Sequence, residues 1–482
     1  MLQPNLVAIE AISSDQWFDL MPLITMGLFS LLSLLCAPNK GRWQHSAVVM
    51  LLIGTALAMG FLHQQQTENI LSGIFVFDPL SRFFSMIILF SMAATALVSI
   101  DYVKKEPLLA ETYPLLGFAA TALMIMVSSR DLFIIFIGLE IASLSIYVLV
   151  GGQRYVKASA EAALKYYLLG GAASAVFLYG ISLYYGITGT TSFVSIAADH
   201  ASLSMLAILL LLAGFIFKIG GFPLHFWVPD VYSGACLPIA GFMISAVKAA
   251  SVGAFLRFAL EVIRPMQADG SHEIFYWLMA VVVTGSMLYG AIMGLMQANI
   301  KRLLAYSSIA NSGFIALGIL TVMAGGGEWR AFGAVTAYTL FYVITSIGVF
   351  AVLSMIAPKH HDNLELKDLA GLAKVRPKAS FALMVLFASM AGLPPTAGFI
   401  GKYRIFSVSL SADQSELVLI GLLASVLSIA FYLRPIVAMY MTTPMGAMHE
   451  SDNRSGFLVA TIGLGLTVVF GIFPTWISFF FP

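Results

Sequence analysis

Apolar runs of the length that crosses a bilayer, about 20 residues each, recur along almost the whole chain. Read between charge and turn clusters, they number about fourteen. They start near Leu20, Ser46, Pro79, Thr112, Leu132, Ala160, Ser202 and Ala235, then near Phe275, Leu303, Phe332, Lys378, Leu417 and Phe457. The hydrocarbon interior offers no water to a backbone N–H or C=O, so each run must satisfy itself as a helix. Composition agrees, with 60% hydrophobic and 10% charged residues against roughly a quarter charged in soluble domains. The expected fold class is an all-α polytopic membrane protein, a single membrane domain over residues 1–482. A soluble enzyme and a disordered chain are excluded. So is a nucleic-acid binder, because 25 basic and 24 acidic residues leave no basic face.

The loops predict the orientation. Alternate loops hold Lys40, Arg42, Lys104, Lys105, Arg154, Lys157, Lys301, Arg302, Lys359, Lys367, Lys374, Arg376, Lys378 and Arg454. The opposite side receives only Arg82, Arg130, Arg264 and Arg330. By the positive-inside rule the rich side is cytoplasmic, and an even number of spans puts both termini on the outer, periplasmic side. The run from Ile74 to Ile100 leaves room for a re-entrant or interfacial start around Phe77-Asp78-Pro79. The first 39 residues contain no Lys or Arg but include Glu10, Asp15 and Asp19, the reverse of a secretory n-region.

Metal and redox signals are weak. Cys36 and Cys236 are far apart in apolar surroundings, and no histidines carry ligand spacing. His360-His361-Asp362 reads as a solvated loop, and Phe479-Phe480-Phe481 as an interfacial or lipid-facing cluster. No dinucleotide fingerprint, Cys cluster or haem ligand pair is present, so no cofactor is expected on this chain.

The remaining basic residues fall inside or at the ends of spans: Lys165, Lys218, Lys248, Arg257, Lys402, Arg404 and Arg434. The three arginines read as helix-end residues that snorkel to the headgroups. A lysine near the bilayer centre costs about 2.5–3.5 kcal/mol on insertion scales, so Lys218, Lys248 and Lys402 demand a hydrated cavity or partners. Glu140 is the one acid well within an apolar run. A buried lysine whose partner approaches or retreats is a proton switch, because desolvation and ion pairing act on its protonation in opposite directions.

Two spans are interrupted by Gly and Pro beside such a lysine. One reads Phe217-Lys218-Ile219-Gly220-Gly221-Phe222-Pro223-Leu224-His225, the other Met390-Ala391-Gly392-Leu393-Pro394-Pro395-Thr396 through Lys402. Paired broken spans point to a repeat-built transporter with sites at the breaks. Bland alternatives stay open. The prolines also suit packing kinks, Lys402 a helix end, and Glu161 with Lys165 a solvated i,i+4 pair. His225 suits a hydrogen-bonded structural histidine as well as a relay.

Several stretches together resemble a known family, the antiporter-like membrane subunits of respiratory complex I. They are Gly138-Leu139-Glu140-Ile141-Ala142-Ser143-Leu144, Ala160-Glu161-Ala162-Ala163-Leu164-Lys165-Tyr166-Tyr167, the run from Lys218 to Tyr232, Asn299 to Ile309, and Gly392 to Lys402. The wider family includes subunits of multisubunit cation/proton antiporters and membrane-bound hydrogenases. The resemblance implies an antiporter-like fold with two inverted five-helix repeats, here 112–260 and 275–442, and two broken helices. It also implies a proton-translocating subunit in the inner membrane of a bacterium, with other complex I membrane subunits and lipid as partners. FMN, iron–sulfur clusters, NADH and quinone would belong to partner subunits. Carried over residue by residue, it pairs Glu140 with Lys218 and relates Lys248 to Lys402 along a midplane polar axis. Lys165 and His225 match further family positions, as possible relays.

Overall fold

The computed structural model describes residues 14–36, 42–64, 69–70, 73–105, 111–153, 155–194, 201–269, 273–325, 328–357, 364–443 and 454–479. Glu10, Lys40, Arg154, Lys359, His360-His361-Asp362 and Phe480-Phe481 lie outside the described residues. The chain begins with α1 (Ser14–Cys36) and α2 (Arg42–Gln64), then a small antiparallel ladder of β1 (Asn69–Ile70) and β2 (Phe75–Val76). There follow α3 (Pro79–Lys105), α4 (Thr112–Val127), α5 (Leu132–Val150), α6 (Lys157–Thr188) and α7 (Ala201–Ile219). After a break come α8 (Trp227–Gly234), α9 (Leu237–Phe242), α10 (Lys248–Phe258), α11 (Glu273–Leu295), α12 (Ile300–Met323) and α13 (Glu328–Ile356). The last group is α14 (Leu372–Val375), α15 (Pro377–Ala391), α16 (Ala397–Ser411), α17 (Ser415–Met441) and α18 (Arg454–Ile472).

Twelve helical segments among the described residues are long and apolar enough to cross a membrane. The apolar helices Thr112–Val127 and Pro377–Ala391 are shorter. Together they account for the fourteen runs of the sequence. The second short one has a reason: α15 stops at the Gly392–Thr396 break and α16 resumes the path beyond it. The chain is a multi-pass membrane protein.

Helix starts follow from their caps. Asp131 accepts hydrogen bonds from the N–H groups of Phe133 (2.9 Å) and Ile134 (3.2 Å), opening α5. Asn299 accepts from Arg302 N (2.9 Å) and opens α12. Both side chains satisfy N–H groups that the first turn leaves without helical partners. At Phe77-Asp78-Pro79 there is no re-entrant helix. Asp78 caps α3 through Ser81 N (2.9 Å), and the ladder delivers the chain to that point.

Two elements form the centre of the bundle. The first runs from Leu237 to Met266 and the second is α12; each is wholly buried over its 18-residue apolar stretch. Within the first, π-helical turns at Met243–Val247 and Ala259–Ile263 bracket α10. Arg257, at the far end of α10, is where the snorkelling expectation fails. Its side chain is only 3% exposed and makes a two-point contact with Asp78, at 2.7 and 2.9 Å. Glu261 lies at 3.3 Å, and Arg130 joins Glu261 at 2.7 Å. Arg257 is enclosed within the bundle, and the carboxylates of Asp78 and Glu261 compensate its buried charge. The other two arginines cap carbonyls. Arg434 donates to the carbonyls of Leu295 and Gln297 (3.0 Å for the latter) at the end of α11, and Arg404 to Pro474 O (3.2 Å).

Candidate proton-transfer site

Helix α7 ends one residue after Lys218. Gly220 takes the left-handed conformation (φ +70°), and a Cβ there would meet Val228 Cγ2 at 2.7 Å, so glycine alone fits the turn. The backbone groups freed by the break find partners. Gly221 N donates to Ile216 O (2.9 Å), Trp227 Nε1 to Phe217 O (3.1 Å) and Ser312 Oγ to Ile219 O (2.6 Å). In the other broken span, Gly392 is again left-handed (φ +85°). There Gly398 N donates to Ser389 Oγ (3.1 Å). Irregular backbone inside the bundle is thus paid for by specific hydrogen bonds.

Each lysine ends at the C-terminal end of a half-helix or against a serine-bearing helix. Lys218, 7% exposed, donates to Ser143 Oγ of α5 at 2.7 Å, with its Nζ 5.9 Å from the centre of the Tyr166 ring. Lys402, 4% exposed, lies beyond its break and turns back to Ala391 O, the last residue of α15, at 3.0 Å. Ser425 Oγ is a second acceptor at 3.3 Å, and the Phe314 ring centre lies 4.8 Å away. The helix-end reading of Lys402 is therefore replaced by a buried one. Lys218 stands before its break and Lys402 after; the Lys402 ammonium sits at the negative end of the α15 half-helix, whereas that of Lys218 lies against a serine of α5. Lys248, 3% exposed, donates to Ser308 O (2.7 Å), Ser308 Oγ and Ser312 Oγ (2.8 Å) of α12, with the Tyr342 ring centre 5.3 Å away.

Glu140 and Lys218 are not in direct contact. Ser174 Oγ of α6 donates to Glu140, and Lys218 reaches Ser143, one helical turn along α5 from Glu140. Glu140 is half-buried. Lys165 stands apart from the buried row: it bridges Glu161 at 2.7 Å and Asp230 at 2.9 Å with its side chain 42% exposed, and Arg302 joins Asp230 at 3.0 Å. His225 lies buried in the first break, its ring 4.5 Å from that of Tyr289 and 5.5 Å from that of Phe222. Its Nδ1 has no hydrogen-bond partner among the described residues.

The sequence reading missed the element that joins these groups. Helix α12 carries Ser307, Ser308, Asn311 and Ser312, all buried. Ser312 touches both the first break and Lys248, while Ser308 holds Lys248. Further along, Asn311 accepts from Tyr338 and donates to Ser307 O (2.7 Å), and Ser307 meets Tyr432. Phe314, two residues on from Ser312, covers Lys402. The signal is four polar residues clustered in an apolar run, of which only Ser307 and Ser308 fall within the Asn299 to Ile309 stretch of the resemblance.

Comparisons with known proteins bear on this arrangement. The family described as "NADH:quinone oxidoreductase/Mrp antiporter, TM" matches residues 129–428, which hold every residue of the row. NADH-quinone oxidoreductase subunit N 1 of Herpetosiphon aurantiacus is 38% identical over 442 residues, covering 88% of this chain and 87% of its own. The subunit N of Trichlorobacter lovleyi is 39% identical over 430 residues, covering 87% and 85%. The chain belongs to the NADH-quinone oxidoreductase subunit N family. A chain of respiratory complex I from Thermus thermophilus, solved with bound aureothin, superposes with a TM-score of 0.80 at 32% identity. That match covers 94% of this chain and 97% of the other. Family membership agrees with the resemblance drawn from the motifs, and with an antiporter-like fold. Among the described residues, no group of three or more His, Cys, Asp or Glu side chains is gathered to hold a metal.

Proposed function

We propose that this chain is a proton-transferring membrane subunit of a bacterial NADH–quinone oxidoreductase, and that Glu140, Lys218, Lys248 and Lys402 carry the protons. The observation that supports this most is the company the lysines keep. Among the described residues, three buried amines are held by serine hydroxyls, backbone carbonyls and aromatic rings. A structural lysine would be expected to sit with a fixed carboxylate, as Arg257 does. Neutral acceptors leave both the charged and the uncharged amine tolerable, which is what a group that loads and releases a proton needs. Glu140, one turn from the serine that holds Lys218, is the acid whose approach would favour the charged form.

In this reading, quinone reduction elsewhere shifts Glu140 relative to Lys218. Charge then passes along α12 through Lys248 toward Lys402, and His225 and Lys165 serve the approach from the basic-rich side. The segments 112–260 and 275–442 act as the two inverted halves, with both termini periplasmic in the inner membrane. NADH, FMN, iron–sulfur clusters and quinone belong to partner subunits. A cation/proton antiporter or hydrogenase subunit is the alternative that the breadth of the matching family keeps in play.

A native gel of mildly solubilised source membranes separates these. The chain is expected in one large band that stains for NADH dehydrogenase activity. Migration in a smaller band without that activity, with sodium-dependent exchange in vesicles, would replace the proposal with the antiporter reading.

A further inference from the structure

The ends of α13, α15 and α18 leave a groove between them. Its volume is about 430 Å³, and Val352, Met355, Ala379, Ala382, Phe457 and Ala460 line it. Packing explains the opening. A Cβ on Gly463 would stand 3.1 Å from Cα of Gly348, so α18 and α13 touch backbone to backbone at that level. One to two turns nearer the loops the two helices part, and α15 puts alanines into the gap. The one hydroxyl on the wall, Thr461 Oγ1, donates to its own helix at Phe457 O (2.8 Å), which leaves the lining apolar.

The loop end of the same groove is basic. Lys378 is part of the lining, and exposed Lys374 and Arg454 lie close by in sequence to its walls. Arg376 donates to Met355 O (3.2 Å) at the same end. None of Lys374, Lys378 and Arg454 meets an acid among the described residues. The described acids of the preceding stretch are engaged elsewhere, Glu365 with Lys367 (2.7 Å) and Asp368 with Glu365 N (2.8 Å). The 15-residue α15 and the 19-residue α18 both begin here, directing the positive ends of their dipoles to this point. By its charge this is the cytoplasmic side, where the leaflet carries the anionic lipid.

We propose that the groove binds one anionic phospholipid, with an acyl chain along Val352, Ala382 and Ala460 and the phosphate at Lys378 and Arg454. An apolar slot capped at headgroup level by cations that meet no acid among the described residues is complementary to an amphiphile with an anionic head. A neighbouring protein helix would need no such cap. The proposal stands independently of the proton-transfer reading, since none of its residues belongs to the buried row.

The test uses the whole assembled complex. It is incubated with vesicles containing a photoactivatable phosphatidylglycerol, and in parallel with the phosphatidylcholine analogue, then irradiated and mapped by peptide mass spectrometry. Label from phosphatidylglycerol is expected on the peptides around Ala379–Ala382 and Phe457–Leu464, several-fold above that from phosphatidylcholine. The Lys378→Ala/Arg454→Ala variant should erase that preference. Ala460→Trp should remove the label with either lipid while leaving the charges in place. Equal labelling by both lipids, label only elsewhere, or crosslinks from these peptides to a neighbouring subunit would each overturn the proposal. The wild-type comparison decides the matter even if a variant fails to assemble.

Discussion

Replacing Lys248 with methionine is expected to slow coupled turnover of the assembled complex by about 10²-fold, the lower end of what a positioned proton-transfer group contributes. The fold should survive the change. Methionine fills nearly the same volume, and of the two hydroxyls that Lys248 leaves behind, Ser312 Oγ keeps acceptors of its own at Ile219 O (2.6 Å) and Ser308 O (3.0 Å). Exchanging a buried charge for an apolar group of similar shape is commonly neutral or stabilising. Activity and stability should therefore separate: NADH-driven acidification of inverted vesicles falls steeply while the amount of assembled complex holds. A variant that pumps normally would remove Lys248 from the row.

The second large effect lies at the other end of the same helix, with the opposite pattern. Asp78→Ala deprives Arg257 of its two-point partner and leaves a guanidinium that is 3% exposed with only Glu261 at 3.3 Å. Leaving a buried charge unpaired costs about 3–5 kcal/mol, and the surviving contact with Glu261 puts this case near the lower figure. Assembly yield and the temperature at which the complex dissociates should both drop. Removing both charges, with Asp78→Leu and Arg257→Met, should recover most of the loss, because no unpaired ion then remains. An unchanged dissociation temperature in Asp78→Ala would mean that the pair does not anchor α10.

The contrast between Lys248 and Arg257 also shows what was legible in the sequence. Spans could be read because a bilayer imposes length and apolarity on every crossing helix. The breaks were visible as Gly-Gly-Phe-Pro and Gly-Leu-Pro-Pro beside lysines, since glycine and proline interrupt a helix wherever they fall. Depth and partners were not visible. Arg257 looked like a helix-end residue because its partner, Asp78, is 179 residues away, and only the fold brings α3 and α10 together. For Lys402 the sequence leaves a helix end open beside the buried reading, and only the fold, which turns the side chain back onto Ala391 O, decides between them. The serines of α12 and Ser143 escaped notice for another reason. A serine inside a membrane helix usually bonds to its own backbone, as Ser143 also does to Leu139 O (2.5 Å). Nothing local marks the ones that also receive a lysine.

The gap between Glu140 and Lys218 is the centre of the account. In this state each is held by a serine of its own, Ser174 and Ser143. Transfer then requires that the acid and the amine change their mutual distance during turnover. The most direct measurement is proton pumping per NADH oxidised in vesicles carrying the assembled complex with Glu140→Gln and, separately, Lys218→Ala. The account predicts that each variant assembles in normal amount and loses most pumping. Normal pumping with normal assembly in both would contradict it.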